Sequence, residues 1–398
     1  MKIGEKLKVN IETVVNGGKG LARVEDFVLF IEGALPGEYI EVEIIKLKKK
    51  YGFAKILNIL SQSIGRQKPD CKYYKICGGC QLQHCKYNFQ LEIKENIAKE
   101  MFEVFTKDIH KIEPSVNEFN YRNKVSFRKN PYKAGLLSSK SHAVVDVEQC
   151  MIANKKINYF FSVIKNSKSN SGTVKFILKT TENGEIMLVA DKEIKLDEYT
   201  LKSFDSVYMN NKHISGKKFL TQSIEGVDFR IYPKSFFQIN FDVLKKIINF
   251  LKAECKGNVL LDSYCGTGIF SFALRNNFSK IIGIDIEIDS IKSANIIKKS
   301  FNINNTEFYT GKVKNMIESF SKADYILLDP PRKGCSTKVI EGLLESGVPN
   351  IIYISCDPST LRRDLKILED KYKVDKIKLY DMFPQTFHFE TIAILKKL

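Results

Sequence analysis

The residues best suited to chemistry lie in the last third of the chain. Ser355-Cys356-Asp357-Pro358-Ser359-Thr360 follows an apolar run, with Pro358 suited to a first helical turn and Asp357 to its cap. Cys356 is therefore expected at a helix N-terminus, where the macrodipole favours thiolate while the neighbouring Asp357 opposes it. Most cysteines in sheets are small core residues. One that follows a parallel strand into a capped turn at a ligand edge is a candidate reactive thiol. Upstream, Asp262-Ser263-Tyr264-Cys265-Gly266-Thr267-Gly268 reads as a buried strand opening into a glycine turn, where a ligand can approach the backbone closely. About twenty residues further on, a second apolar run ends at Asp285, whose carboxylate can accept both hydroxyls of a ribose. Ser271 stands where a dinucleotide fingerprint has its third glycine, so a single-nucleoside cofactor is expected in preference to NAD. In Asp329-Pro330-Pro331-Arg332-Lys333-Gly334, two prolines stiffen a turn that directs the Asp329 carboxylate to the same cleft.

A second cluster lies far upstream. Cys71, Cys77 and Cys80 flank Gly78 and Gly79, a loop able to bend three sulfurs around one centre. Tetrahedral thiolate sites and iron–sulfur clusters take four ligands, so a fourth must come from elsewhere; Cys85 and Cys150 are the candidates. Spacing alone leaves zinc and a cubane cluster both open. The chain has nine cysteines and starts without a secretory-type apolar stretch, which favours metal ligands or a reactive thiol over disulfides.

These groups need elements to position them. After residue 236, apolar runs at 258–264, 280–286, 306–309, 324–329 and 350–355 are each followed by a helical pattern, which predicts an α/β doubly wound parallel sheet. The last two runs, 372–382 and 386–395, are too close for a helical crossover and are expected to pair antiparallel. Residues 3–60 read as short strands broken by Gly17, Gly18, Gly20, Pro36 and Gly37, predicting a small β-barrel. Its Lys46, Lys48, Lys49 and Lys50, beside Tyr51, could grip a phosphate backbone. The middle is mixed α+β, with a helix over 88–105 whose apolar stripe is core-facing and is expected to pack on the C-terminal unit, and a polar exposed loop at 165–172. The expected domains are 1–60, 61–235 and 236–398. Sixty-three Lys and Arg against forty-six Asp and Glu leave +17, which points to a polyanionic partner, nucleic acid before anionic membrane. No apolar run reaches the roughly eighteen residues that cross a bilayer, so no membrane association and a cytoplasmic location are expected. With 43% hydrophobic and 27% charged residues, a disordered or collagen-like chain is excluded.

Taken together, the motifs resemble the uracil-C5 RNA methyltransferase family, specifically its iron–sulfur members with an N-terminal TRAM domain. The likeness covers nearly the whole chain: Gly18-Lys19-Gly20 and Pro36-Gly37-Glu38, Cys77-Gly78-Gly79-Cys80-Gln81-Leu82-Gln83-His84, Tyr121-Arg122-Asn123-Lys124, and Ser235-Phe236-Phe237-Gln238-Ile239-Asn240, followed by the three C-terminal motifs above. The resemblance implies a Rossmann-like S-adenosylmethionine methyltransferase domain, a TRAM (OB-like) barrel and a central iron–sulfur domain. It implies a [4Fe-4S] cluster on Cys71, Cys77, Cys80 and Cys150, with zinc as the alternative; Cys85 stands where the family has an apolar residue. It further implies that Gln238, Tyr264, Gly266, Gly268, Asp285 and Asp329 line the cofactor and target-base pocket. Cys356 would be the nucleophile, and Glu390, in Thr386-Phe387-His388-Phe389-Glu390, the general base. Two departures stand out: Asp357 replaces the usual Asn, and Asp285 the usual Glu.

The implied reaction explains these residue types. Carbon 5 of uracil is a poor nucleophile until a thiolate adds at carbon 6 and makes the ring enolate-like. The charge then developing on oxygen 4 needs a donor such as the Gln238 amide, and loss of the carbon 5 proton needs a base. A uracil inside an RNA helix must be flipped out or taken from a loop. Arg122, Lys124, Phe127 and Arg128 are expected to hold the flanking nucleotides, unless Phe127 is core. The expected substrate is 23S ribosomal RNA, with a transfer RNA T-loop uridine as the alternative, and the expected state a monomer. A reading of a different class is an RNA-binding protein that keeps a vestigial methyltransferase fold.

Overall fold

The computed structural model describes residues 1–139, 141–167 and 172–398. Of the polar loop expected at 165–172, residues 168–171 lie outside the described residues. Alternating strands at the N-terminus, β1 (Lys6–Asn10), β2 (Thr13–Val15), β3 (Lys19–Val24), β4 (Phe27–Glu32), β5 (Tyr39–Leu47) and β6 (Tyr51–Ser61), form one six-stranded sheet in the order β1-β5-β6-β4-β3-β2. Their inward residues, among them Val9, Leu29, Ile31, Ile40 and Val42, close into a dry core. Gly20 permits that closure, because a Cβ there would stand 2.8 Å from the Ala34 Cβ. Glu38 is fully buried, accepts the Leu35 amide at 2.9 Å and pairs with Arg66, tying this sheet to the segment that precedes the cysteine loop.

Helix α1 (Tyr87–Phe102) and strand β7 (Ile109–Glu113) follow the cysteines. A seven-stranded mixed sheet comes next: β8 (Lys124–Lys129), β9 (Ala134–Leu137), β10 (Val144–Asp146), β11 (Val174–Thr180), β12 (Ile186–Ala190), β13 (Ser206–Met209) and β14 (Lys212–Gly216). Helix α2 (Lys155–Asn166) covers it, α3 (Glu198–Ser203) lies beside β14, and the hairpin β15 (Leu220–Ile224) and β16 (Val227–Ile231) leads out. Phe127 on β8 is completely buried, its ring 4.3 Å from Phe161 and 5.5 Å from Phe176. The expectation that Phe127 stacks on a base is therefore corrected: in a strand, side chains alternate between faces, and Phe127 falls on the core face while Lys124 and Arg128 take the other.

The remaining elements are α4 (Phe241–Glu254), β17 (Gly257–Ser263), α5 (Ile269–Ala273), β18 (Phe278–Asp285), α6 (Ile288–Ser300), β19 (Thr306–Thr310), β20 (Tyr325–Leu328), α7 (Thr337–Ser346), β21 (Asn350–Ser355), α8 (Pro358–Leu368), β22 (Tyr372–Tyr380) and β23 (Glu390–Lys397). They build an eight-stranded sheet, β19-β18-β17-β20-β21-β23-β22-β7, in which β17 to β21 run parallel and β23 lies antiparallel between β21 and β22. Strands such as β21 are apolar on both faces because both are covered. Helices α4, α5 and α6 pack on one side, and α1, α7 and α8 on the other. Strand order reverses between β17 and β20, which opens a crevice at their carboxyl ends. Strand β7, contributed from far upstream, extends this sheet beside β22.

Candidate active site and cysteine cavity

At the reversal point, β17 leaves the sheet through Tyr264, held at φ +68°, and reaches α5 through Gly266 (φ +55°) and Gly268 (φ +83°). A Cβ at Gly268 would lie 2.8 Å from the Phe308 ring, whereas Gly266 faces open space, the arrangement of a turn over which a ligand can lie. Asp285, at the end of β18, accepts the Gly266 amide and the Glu287 amide, both at 2.8 Å, so this carboxylate fixes the turn against the next helix. Asp262 was missed by sequence reasoning. It is fully buried and accepts the Ser271 amide at 3.1 Å and hydroxyl at 2.6 Å, while its Oδ1 has no partner. Ser271 thus replaces the third glycine with a hydrogen bond to the strand beneath. Asp329, at the end of β20, is pushed up to about 7 by burial, then by the charges of Asp262 and Asp285. Asp262 is likewise pushed up to about 7 by burial, against the Ser271 hydrogen bonds.

The neighbouring strand pair carries the thiol and the carboxylate. In the antiparallel ladder of β21 and β23, Ser355 is opposite Thr391, and one step further along that register are Cys356 and Glu390. Cys356 is half-buried at the mouth of α8, where Asp357 caps the helix by accepting the Ser359 amide at 2.9 Å and the Thr360 amide at 3.2 Å. Its thiol is pushed up to about 12, first by burial, then by the charge of Glu390, with smaller contributions from Asp329 and Asp357; Arg332 opposes them. Glu390 is buried, and no hydrogen bond or ion pair holds its carboxylate among the described residues. Burial and Asp329 raise it well above the usual carboxylate range, with Arg332 again opposing. Arg332 is thus the cation that favours the anionic forms of both groups. Its loop is pinned from behind: Asp364 accepts the Cys335 amide at 3.0 Å and the Tyr353 hydroxyl at 2.6 Å.

Gln238 is buried on the loop before α4, and its carbonyl accepts from the Asn123 side chain at 2.8 Å. Lys179 holds the same loop by donating to the carbonyls of Tyr232, Pro233 and Ser235. Tyr121, two residues before Asn123, donates to the Pro384 carbonyl on the segment leading to Glu390. The Tyr121-Arg122-Asn123-Lys124 stretch therefore links the Gln238 loop to the Glu390 strand. Arg122 and Lys124 are half-buried there, with the Arg122 Nε donating to the Lys124 carbonyl at 3.1 Å; Arg128 folds back onto Ser126 at 3.2 Å.

The four cysteines singled out upstream meet at one cavity. Cys71, Cys77, Cys80 and Cys150 line one cavity of about 30 Å³, together with Tyr73, Tyr74, Leu136, Val147 and Ile152. Burial pushes Cys80 up to about 12 and Cys150 to about 11, with each thiol disfavouring charge on its neighbours. Among the described residues, no three His, Cys, Asp or Glu groups are drawn into a preformed metal cage. A donor set of four thiols and no carboxylate, in an apolar wall, fits a thiolate-bound iron–sulfur or zinc centre. Cys85 is apart from this cavity, buried with Ile93 and Ile97 of α1 in the core beneath the large sheet.

The large sheet, its glycine turn and its acidic strand end are those of an α/β fold that takes a ligand at the point where strand order reverses. The TRAM family profile matches residues 1–57, and the profile described as tRNA (Uracil-5-)-methyltransferase matches residues 205–398. The chain is 33% identical to an RNA methyltransferase of Clostridium tetani over 95% of this chain and 93% of that one, and 32% identical to one of Listeria monocytogenes over 99% and 98%. Among solved structures it resembles the Pyrococcus abyssi tRNA (uracil-54, C5)-methyltransferase in complex with S-adenosyl-L-homocysteine, with 25% identity, a TM-score of 0.79 and coverage of 98% of this chain and 100% of that one. The chain belongs to the S-adenosylmethionine-dependent RNA (uracil-5-)-methyltransferase family. No helix among the described residues is long and apolar enough to cross a membrane.

Proposed function

We infer that this enzyme forms 5-methyluridine in ribosomal RNA through a covalent adduct on Cys356 that Glu390 resolves. The observation that supports this reading is the register of β21 and β23, whose last pair, Ser355 and Thr391, is followed by Cys356 and Glu390 at the adjoining positions, close enough for the charge of Glu390 to act on the Cys356 thiol. Tyr264, Gly266, Gly268, Asp285 and Asp329 would hold S-adenosylmethionine, which when bound supplies an electrophilic methyl group. Cys356, as thiolate, adds to carbon 6 of uracil, and the ring's electron pair moves towards oxygen 4, where the side-chain amide of Gln238 can donate. Carbon 5 would then take the methyl group as the bond from that group to the sulfonium sulfur breaks, its electron pair staying on sulfur and leaving neutral S-adenosylhomocysteine. Glu390, as carboxylate, removes the carbon 5 proton, the 5,6 double bond re-forms, and the bond between carbon 6 and sulfur breaks to return the thiolate. Arg332 favours the two anions that this sequence needs.

Arg122, Lys124 and Arg128 are assigned to the RNA backbone, in keeping with the net charge of +17 and the TRAM barrel. The four cysteines at the cavity are assigned to a [4Fe-4S] cluster. A transfer RNA T-loop uridine is the second reading, favoured by the likeness to the Pyrococcus abyssi enzyme. Mass spectrometry of separated RNA species from a deletion strain distinguishes them. Loss of 5-methyluridine from ribosomal RNA supports the first reading, loss from transfer RNA the second, and an unchanged content everywhere rejects both.

A further inference from the structure

Between β22 and β23 the chain turns a corner, residues 381–389, immediately before Glu390. The groups that hold this corner come from outside the strands it joins. Lys94 of α1 pairs with Asp381 at 2.6 Å, with both side chains fully buried, and donates also to the Phe383 carbonyl at 3.3 Å. Gln90, one helical turn earlier, makes a reciprocal pair with Gln385: its amide donates to the Gln385 side chain and its oxygen accepts the Gln385 main-chain amide, both at 3.0 Å. The Gln385 carbonyl accepts two further amides, Gln81 and Leu82 from the cysteine loop, at 3.0 Å each. Tyr121 closes the set on Pro384. Gln385 itself is held at φ +68°, a conformation that costs a non-glycine residue free energy and persists only where its surroundings over-determine it.

A buried Lys–Asp pair seldom stabilises a fold more than apolar residues of the same volume would, because desolvating both charges offsets their attraction. Among the described residues the second oxygen of Asp381 has no hydrogen bond of normal geometry, although the Tyr87 hydroxyl of α1 interacts with the same carboxylate. In some proteins such a pair instead fixes a single register between two elements. We propose that Lys94, with Gln90 and Gln385, is a positioning residue that locks the corner so that Glu390 reaches the carbon 5 proton of the covalent adduct. The inference rests on the assignment of Glu390 as the base. It places the effect on one step: adduct resolution depends on the lock, whereas cofactor binding and the preceding methyl transfer do not.

The test uses the full-length protein, S-adenosylmethionine and unmodified RNA prepared from a strain lacking the enzyme. Lys94→Met leaves Asp381 buried and unpaired and can unfold the chain, so the decisive variant is Lys94→Met with Asp381→Leu, which replaces the pair by apolar groups of similar size. Denaturing gels and rapid quench resolve covalent protein–RNA adduct from free methylated RNA, with Glu390→Gln as reference. The expected result is that both proteins accumulate methylated adduct, with release in the double variant slowed roughly tenfold or more, as a displaced catalytic group requires, and single-turnover methyl transfer changed less than threefold. If Glu390→Gln accumulates adduct while the double variant releases product at the normal rate, or slows every step in proportion, the positioning role is overturned. If Glu390→Gln accumulates none, the assignment of the base fails, and the inference with it.

Discussion

At the scale of single residues, the balance of charges around Cys356 makes the clearest forecast. Burial and three carboxylates raise its thiol to about 12, so at neutral pH the free enzyme holds a thiol, and the thiolate fraction grows about tenfold per pH unit until that value is reached. Asp357 is one of the three, and also the helix cap. Asp357→Asn keeps a cap of equal quality but removes the charge. Alkylation of Cys356 by iodoacetamide at pH 8, followed by peptide mass spectrometry, is expected to speed up roughly two- to fivefold. Arg332→Gln removes the opposing cation and is expected to slow alkylation by a similar factor; a change in the same direction as Asp357→Asn would contradict the arrangement described.

At the scale of elements, the glycine turn and the acidic strand ends act as one unit. Gly268→Ala would combine a positive φ with a Cβ 2.8 Å from Phe308, and is expected to cost about 2 kcal/mol or more of stability, seen as a lower midpoint in thermal unfolding, with cofactor binding weakened in step. Asp262 and Asp329 are both pushed up to about 7, so each is partly protonated in the free enzyme at neutral pH. A bound sulfonium cation favours the carboxylates and lowers those values, so binding releases protons and affinity rises with pH between about 6 and 8. Calorimetry of S-adenosylmethionine binding in buffers of different ionisation enthalpy measures this release. Absence of proton release at pH 7 would remove Asp262 and Asp329 from the cofactor's electrostatic surroundings.

At the scale of the whole molecule, the cysteine cavity and the corner that precedes Glu390 are joined through main-chain hydrogen bonds from Gln81 and Leu82, so two clusters far apart in the chain form one structural unit. Cys80→Ser and Cys150→Ser are each expected to abolish the absorbance near 400 nm of anaerobically purified protein, a wavelength at which such clusters absorb roughly as a broad shoulder. Cys85→Ala is expected to retain it, with only the stability loss of a small buried side chain. Loss of the absorbance in Cys85→Ala alone would reverse the ligand assignment.

The local patterns carried much of this. The strands of the large sheet, the antiparallel final pair and the capped turn at Cys356 follow from apolar runs, turn residues and Pro358, each a property of a few consecutive side chains. Neighbouring residues do not determine which side of a sheet or helix becomes interior when another element covers it. Phe127 was legible as an aromatic in a basic strand, yet its burial arises only when β11 sets Phe176 opposite it and α2 closes Phe161 over that face. Helix α1 was legible from its apolar stripe, but nothing in its pattern marks Lys94 and Gln90, which are buried because the corner at Asp381 and Gln385, almost three hundred residues downstream, brings matching groups to meet them. Hydrogen bonding between groups so far apart in sequence leaves no periodic trace. The sequence by itself therefore determined which residues are chemically capable and which strands hold them, while tertiary packing decided which of them face one another and which side chains hold them there.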